Sequence, residues 1–110
     1  MALPDRGDLV WMEFSPQAGV EQAGVRPAIV ITTAAYHRKS KLAVVCPVTG
    51  REKGWPMEVK LPSGLPVQGV VLVDHIRSVD RQARNMKVVG RVPPSIMDDI
   101  DARLLPLLSL

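Results

Sequence analysis

Residue types that carry familiar chemistries are scarce in this sequence, and each scarcity removes a class of function. There is one cysteine, Cys46, so no internal disulfide framework is available. It lies inside the apolar run 41–48, where a buried, inert thiol is expected. The two histidines, His37 and His75, stand in no Cys/His set with metal-ligand spacing, so neither a metal nor a cofactor is expected. No GxxxxGK[ST] or GxGxxG loop occurs, which removes the two common phosphate cradles. No apolar run approaches the ~20 residues that span a bilayer, and residues 1–8 lack the core of a signal peptide. A soluble, cytoplasmic protein with no membrane partner is the expectation. The aromatics are Trp11, Phe14, Tyr36 and Trp55 alone, so an aromatic in a loop stands out.

What is present fits one small domain, residues 1–110, with a single modest core. Ten prolines and eight glycines favour many short elements joined by defined turns. The net charge of +3 is uneven. From Ser95 onward Asp98, Asp99 and Asp101 face only Arg103, a net of −2, which leaves +5 on residues 1–94. Such a body suits an anionic partner such as nucleic acid, although solvated basic faces are common.

The hydrophobic pattern predicts strands over 8–14, 27–32, 41–48, 57–61, 69–73 and 86–92. The β-branched runs at 27–32 and 69–73 imply burial on both faces. Residues 34–40 read as a turn or one helical turn, and 74–85 as a polar connection. After Pro93-Pro94-Ser95, Ile96, Ile100, Leu104 and Leu108 recur on one face of a helix. Proline is favoured in a first helical turn and Ser95 with Asp98 resembles a capping box, so the cap stays open, and Pro106 predicts a kink or fraying near the end. The fold class is therefore mainly β with a C-terminal helix: a small, strongly bent, barrel-like sheet with the helix packed on it.

Two loops concentrate the candidate chemistry. The connection from Ser15 to Val25 is long for a hairpin and ends in Arg26-Pro27. A residue before proline is held extended, so Arg26 aims a permanently charged guanidinium from a fixed backbone. An ion pair with Glu13 or Glu21 is the simpler role for it. The second loop runs Thr49-Gly50-Arg51-Glu52-Lys53-Gly54-Trp55-Pro56. A strand-end hydroxyl, two cations and a tryptophan form a plausible single-stranded nucleic-acid surface. Trp55 is equally suited to fold back as a lid on the core. If the strands before and after residues 34–40 pair, Arg26 and Thr49 occupy neighbouring strand ends.

The segments Arg6-Gly7-Asp8-Leu9-Val10-Trp11, Glu21-Gln22-Ala23-Gly24-Val25-Arg26-Pro27-Ala28, Pro47-Val48-Thr49 and Lys53-Gly54-Trp55-Pro56-Met57-Glu58-Val59 follow in order. Gly69-Val70-Val71-Leu72-Val73-Asp74-His75, Arg77-Ser78-Val79-Asp80 and Ala83-Arg84 complete the series. Together, over almost the full chain, they resemble the MazF/PemK toxins of bacterial toxin–antitoxin pairs. The resemblance implies an SH3-like barrel of the MazF/PemK/CcdB toxin type that forms a homodimer. It also implies a metal-independent, sequence-specific endoribonuclease acting on single-stranded RNA. In such enzymes the ribose 2′-hydroxyl attacks the adjacent phosphate, leaving 2′,3′-cyclic phosphate and 5′-hydroxyl ends and blocking translation. The C-terminal segment of a cognate antitoxin would wrap the dimer.

Carried over by position, Arg26 and Thr49 form the catalytic pair. Phe14, Glu21, Gln22, Lys53, Trp55, Asp74, His75 and Arg84 form the substrate-binding set. An arginine is a poor base, so the acceptor of the 2′-proton stays open among Arg26, His75, Asp74 and water. The family usually has Asp-Gln where this chain has Asp74-His75; His75 is taken as base-reading or structural. Some relatives use an arginine two residues before that aspartate, where this chain has Leu72. Two other functions compete: a barrel of the same shape that poisons DNA gyrase without catalysis, and a catalytically inactive RNA binder.

Overall fold

Short runs of valine and isoleucine, too brief to be stable alone, acquire stability here by pairing antiparallel along their whole length. The computed structural model describes residues 3–14 and 24–110. The elements are β1 (Asp8–Glu13), β2 (Val25–Val30), α1 (Ala34–His37), β3 (Leu42–Thr49), β4 (Glu58–Lys60) and β5 (Val70–Leu72). A 3-10 turn (Val73–His75), β6 (Arg77–Asp80), β7 (Lys87–Arg91) and α2 (Pro94–Leu108) follow. The sheet order is β4-β5-β3-β2-β1-β7, with β6 also on β3. The strand β6 falls inside the segment expected to be a polar connection.

Strand β3 organises the sheet. On one edge it pairs with β2, from Ala28 opposite Pro47 to Val30 opposite Val45. On the other edge it meets β5 first, with Thr49 opposite Val70 and Val48 opposite Val71. It then meets β6, from Val45 opposite Arg77 to Leu42 opposite Asp80. Between Val71 and Arg77 the chain has five residues, where β3 has only Cys46 and Pro47. The three extra residues are absorbed by the 3-10 turn, which pushes Asp74 and His75 out of the ladder. Pro47 has no N–H to offer and falls opposite this gap, where none is required.

Alternation along β2 and β3 feeds two apolar clusters, as the β-branched runs require. Ile29, Cys46 and Val48 join Leu9, Val71 and Val73 beneath Ile96, Met97, Ile100 and Leu104 of α2. Ala28, Val30 and Val45 join Val10, Met12, Phe14 and Val79 on the opposite face. Cys46 is buried, and that burial pushes its thiol up to about 12, with the charge of Asp74 adding to the effect. The inert thiol is as expected.

Helix α2 departs from expectation at its C-terminal end, and at its N-terminal end the structure decides which residue is the cap. Pro93 is its N-cap and makes no side-chain cap bond, so Ser95 does not cap it. Pro94 opens the helix instead, where a missing N–H leaves one fewer unpaired donor. The helix continues through Pro106 to Leu108, whose side chain is exposed rather than packed. The last turn overhangs the sheet. Among the described residues no helix is long and apolar enough to cross a membrane.

Candidate active site

Arg26 is the second residue of β2 and stands opposite Met12 in the β1 ladder. The β2–β3 ladder ends at Ala28 and Pro47. Carried two residues further, the same register brings Arg26 level with Thr49 at the open end of the pair. Strand alternation puts both on the face of Ala28, Val30 and Val45, above the second cluster. Arg26 and Thr49 each lie two residues beyond the last pair of this ladder. Arg26 is exposed, whereas Thr49 is 7% exposed. Thr49 Oγ1 accepts the Arg51 N–H at 3.2 Å, which fixes the hydroxyl and leaves its own proton to be donated.

The backbone of Thr49 is held in turn by Gly69. A Cβ on Gly69 would lie 2.2 Å from the Thr49 carbonyl oxygen, and Gly69 has φ +123°. Only glycine permits that approach. From Thr49 the chain leaves into the loop that carries Lys53 and Trp55, both exposed to solvent. Trp55 is 52% exposed and so stands outward rather than closing the core as a lid. The Val73 N–H donates to the Met57 carbonyl at 3.1 Å, which sets the Asp74-His75 turn beside the end of this loop. Asp74 is exposed and His75 half-buried. Asp74 and His75 thus fall opposite the gap in the last half of β3, and Lys53 and Trp55 stand on the loop that leaves its end.

A second group gathers around the ends of β1 and β2. The Glu13 N–H donates to the Arg84 carbonyl at 2.9 Å, and Phe14 N–H to the Gly24 carbonyl at 2.8 Å. The Glu13 carboxylate accepts from Asn85 Nδ2 at 3.0 Å. Phe14 needs correction as a direct substrate contact: it is 1% exposed, inside the second cluster. A ring so covered has no free face for a base to stack on. The Arg77 guanidinium carbon lies 5.8 Å from the Phe14 ring centroid. Glu21 and Gln22 lie outside the described residues.

Three residues around the site lie in the segments quoted from the sequence but carry no role there: Arg77, Gly69 and Glu58. Arg77 shares the β6 face of Val79, and that single valine at period two is the only signal of its placement. His37, by contrast, is occupied elsewhere. It is buried, with Nδ1 2.7 Å from the Pro4 carbonyl and Nε2 2.7 Å from Thr32 Oγ1. The carbonyl can only accept, so Nδ1 carries a proton. Leu72, at the position of the alternative arginine, is buried. Among the described residues no three His, Cys, Asp or Glu side chains group so as to hold a metal ion.

Residues 5–108 match the model of the PemK-like, MazF-like toxins of type II toxin–antitoxin systems. The chain belongs to this family. It is 40% identical over 102 residues to the endoribonuclease toxin MazF of Escherichia coli, covering 93% of this chain and 91% of that protein. The crystal structure of MazF from Deinococcus radiodurans superposes with a TM-score of 0.93 at 47% identity, covering 97% of both chains. The MazE–MazF structure from the same organism gives 0.88 at 45% identity, again over 97% of each chain. The toxin has the MazF fold, a mainly antiparallel sheet with a C-terminal helix, as the hydrophobic pattern implied.

Proposed function

We propose that this toxin, an endoribonuclease of the MazF/PemK family, cleaves single-stranded RNA without a metal by internal transfer to the 2′-oxygen. The 2′-oxygen attacks the adjacent phosphorus and loses its proton. The bond to the 5′-oxygen breaks, and that oxygen leaves with a proton. The products are a 2′,3′-cyclic phosphate and a 5′-hydroxyl, and a cleaved mRNA no longer supports translation. In the pentacoordinate transition state the non-bridging oxygens gain charge. Donors already in place stabilise that charge more than they stabilise the substrate. Arg26 supplies a charged fork and Thr49 an O–H donor. The position of Arg26 and Thr49, each two residues beyond the end of the β2–β3 ladder, is the observation that supports the reading.

Lys53 and Trp55 on one loop, Asp74 and His75 on the neighbouring turn, and Arg84 near the end of β1 form the binding surface in this reading. Glu21 and Gln22 complete it as readers of base edges. His75 belongs with the base-reading groups rather than with proton transfer. A cognate antitoxin as partner is supported by the MazE–MazF structure of the Deinococcus relative; in this reading its C-terminal segment wraps the dimer. A homodimer is supported by the solvent-exposed Trp11, Val88 and Val89 near one sheet edge and Leu105 and Leu108 on α2.

The test is cleavage of a transcript pool in the presence of a chelator, with fragment ends mapped by sequencing. Discrete sites with 5′-hydroxyl ends are expected. Arg26→Ala should lower kcat by about 10²–10³-fold. A folded Arg26→Ala variant that cleaves at the normal rate would remove Arg26 from the chemistry. Intact RNA together with blocked DNA supercoiling would favour the gyrase-poisoning alternative.

A further inference from the structure

Residues Lys53, Gly54 and Trp55 turn three successive backbone N–H groups onto a single carboxylate. Glu58 Oε1 accepts from Lys53 N–H at 3.1 Å, from Gly54 N–H at 3.0 Å and from Trp55 N–H at 3.3 Å. Its Oε2 also lies 3.2 Å from the Lys53 nitrogen. Consecutive amides converge in this way when the backbone changes hand between them, and Gly54 supplies the change with φ +76°. The Glu58 N–H returns a bond to the Trp55 carbonyl at 3.0 Å and closes the ring.

The anchor itself is rigid. Glu58 opens β4 opposite Leu72, and its neighbour Val59 is buried in the first cluster. The ends of the loop are also tied. At one end Arg51 N–H donates to Thr49 Oγ1, and at the other Arg103 Nε donates to the Pro56 carbonyl at 2.8 Å. The product of these bonds is a loop that holds an indole and an ammonium in solvent before any ligand arrives. Ordering a loop on binding opposes affinity, so a loop folded in advance binds more tightly with the same contacts. A bare carboxylate beside an RNA path would repel phosphate, whereas one wrapped by three amides has its charge satisfied locally.

We infer that Glu58 is a positioning residue for substrate recognition: it templates the Lys53–Trp55 loop so that both side chains meet the nucleotides flanking the cleaved bond. This rests on the proposed role of that loop as an RNA contact. Glu58 does not touch the reacting atoms, so its loss acts on binding and leaves the chemical step alone.

The experiment compares Glu58→Gln, Gly54→Ala and Trp55→Ala in the full chain, using an oligoribonucleotide that carries a mapped cleavage site. Gly54→Ala is an independent route to the same distortion. A Cβ there meets nothing within 4 Å, so only the backbone hand is strained. Each variant should raise KM about tenfold, with kcat within about twofold of the parent. In Glu58→Gln the amide resonances of Lys53, Gly54 and Trp55 should shift together. If Trp55→Ala raises KM while folded Glu58→Gln and Gly54→Ala do not, the template role is overturned and the RNA-contact role of the loop stands. If Trp55→Ala leaves KM unchanged, the contact role fails and the template role fails with it. Lower thermal stability in Glu58→Gln with an unchanged KM assigns the carboxylate to structure alone and also overturns the inference.

Discussion

The Thr49 hydroxyl has one proton and two lone pairs, and the Arg51 N–H takes one of the lone pairs. The remaining donor is what the proposed mechanism uses. Thr49→Val removes it at nearly constant shape, so kcat should fall about 10²-fold with KM little changed, while Thr49→Ser keeps most of the rate. Single-turnover cleavage measures this directly, and a valine variant with the parental rate would take the hydroxyl out of the chemistry. Arg26 and Thr49 are legible in the sequence because a residue before proline and a strand-end threonine declare their backbone. Phe14 is not legible as core at first sight, since it borders the long loop. Its parity with Val10 and Met12 is the signal that its ring turns inward. Glu58 reads as the polar half of an alternating strand. Its partners are backbone amides, which leave no mark in a sequence.

Elements follow the same division between what periodicity reveals and what pairing imposes. The runs of β1, β2, β3 and β5 are dense in apolar residues and appear within a residue or two of their expected bounds. The strand β6 hides because Val79 is its only apolar residue; the pairing with β3 makes it a strand. The cap of α2 is hidden for another reason: Pro94 takes the first helical position, so Ser95 lies inside the first turn and Pro93, which has no capping side chain, precedes it. The helix contrast between its two ends can be measured. Ile100 is fully buried, and Ile100→Ala should cost about 2–5 kcal/mol in urea unfolding. Leu108→Ala, on the overhanging turn, should change stability by no more than about 0.5 kcal/mol in the isolated chain. A loss from Leu108→Ala that grows with protein concentration would mean that a second chain covers the turn.

Across the whole molecule, the segment before β1 acts as a strap over elements distant in sequence. His37 on α1 holds the Pro4 carbonyl, Arg6 Nη1 donates to the Ile31 carbonyl at 2.9 Å, and Arg6 pairs with Asp101 on α2. Asp5 joins the strap to α1: its Oδ1 accepts the Ala34 N–H at 2.9 Å and the Arg6 N–H at 2.9 Å. These bonds, the one from Ala34 first, hold the Asp5 carboxyl below its usual 3.8, with the Arg91 and His37 charges adding in the same direction. A carboxyl lowered by folding stabilises the native state fully above its unfolded value. It loses that contribution as pH falls through the lower folded value. Asp5→Asn keeps the acceptor but not the charge. The parent should therefore be the more stable of the two at pH 7 and at pH 5, and the two unfolding curves should draw together only as pH falls below 3.8 and through the lower folded value. Urea melts at those pH values measure the difference. A gap that persists unchanged into acid would show that the strap depends on the shape of Asp5 and not on its charge.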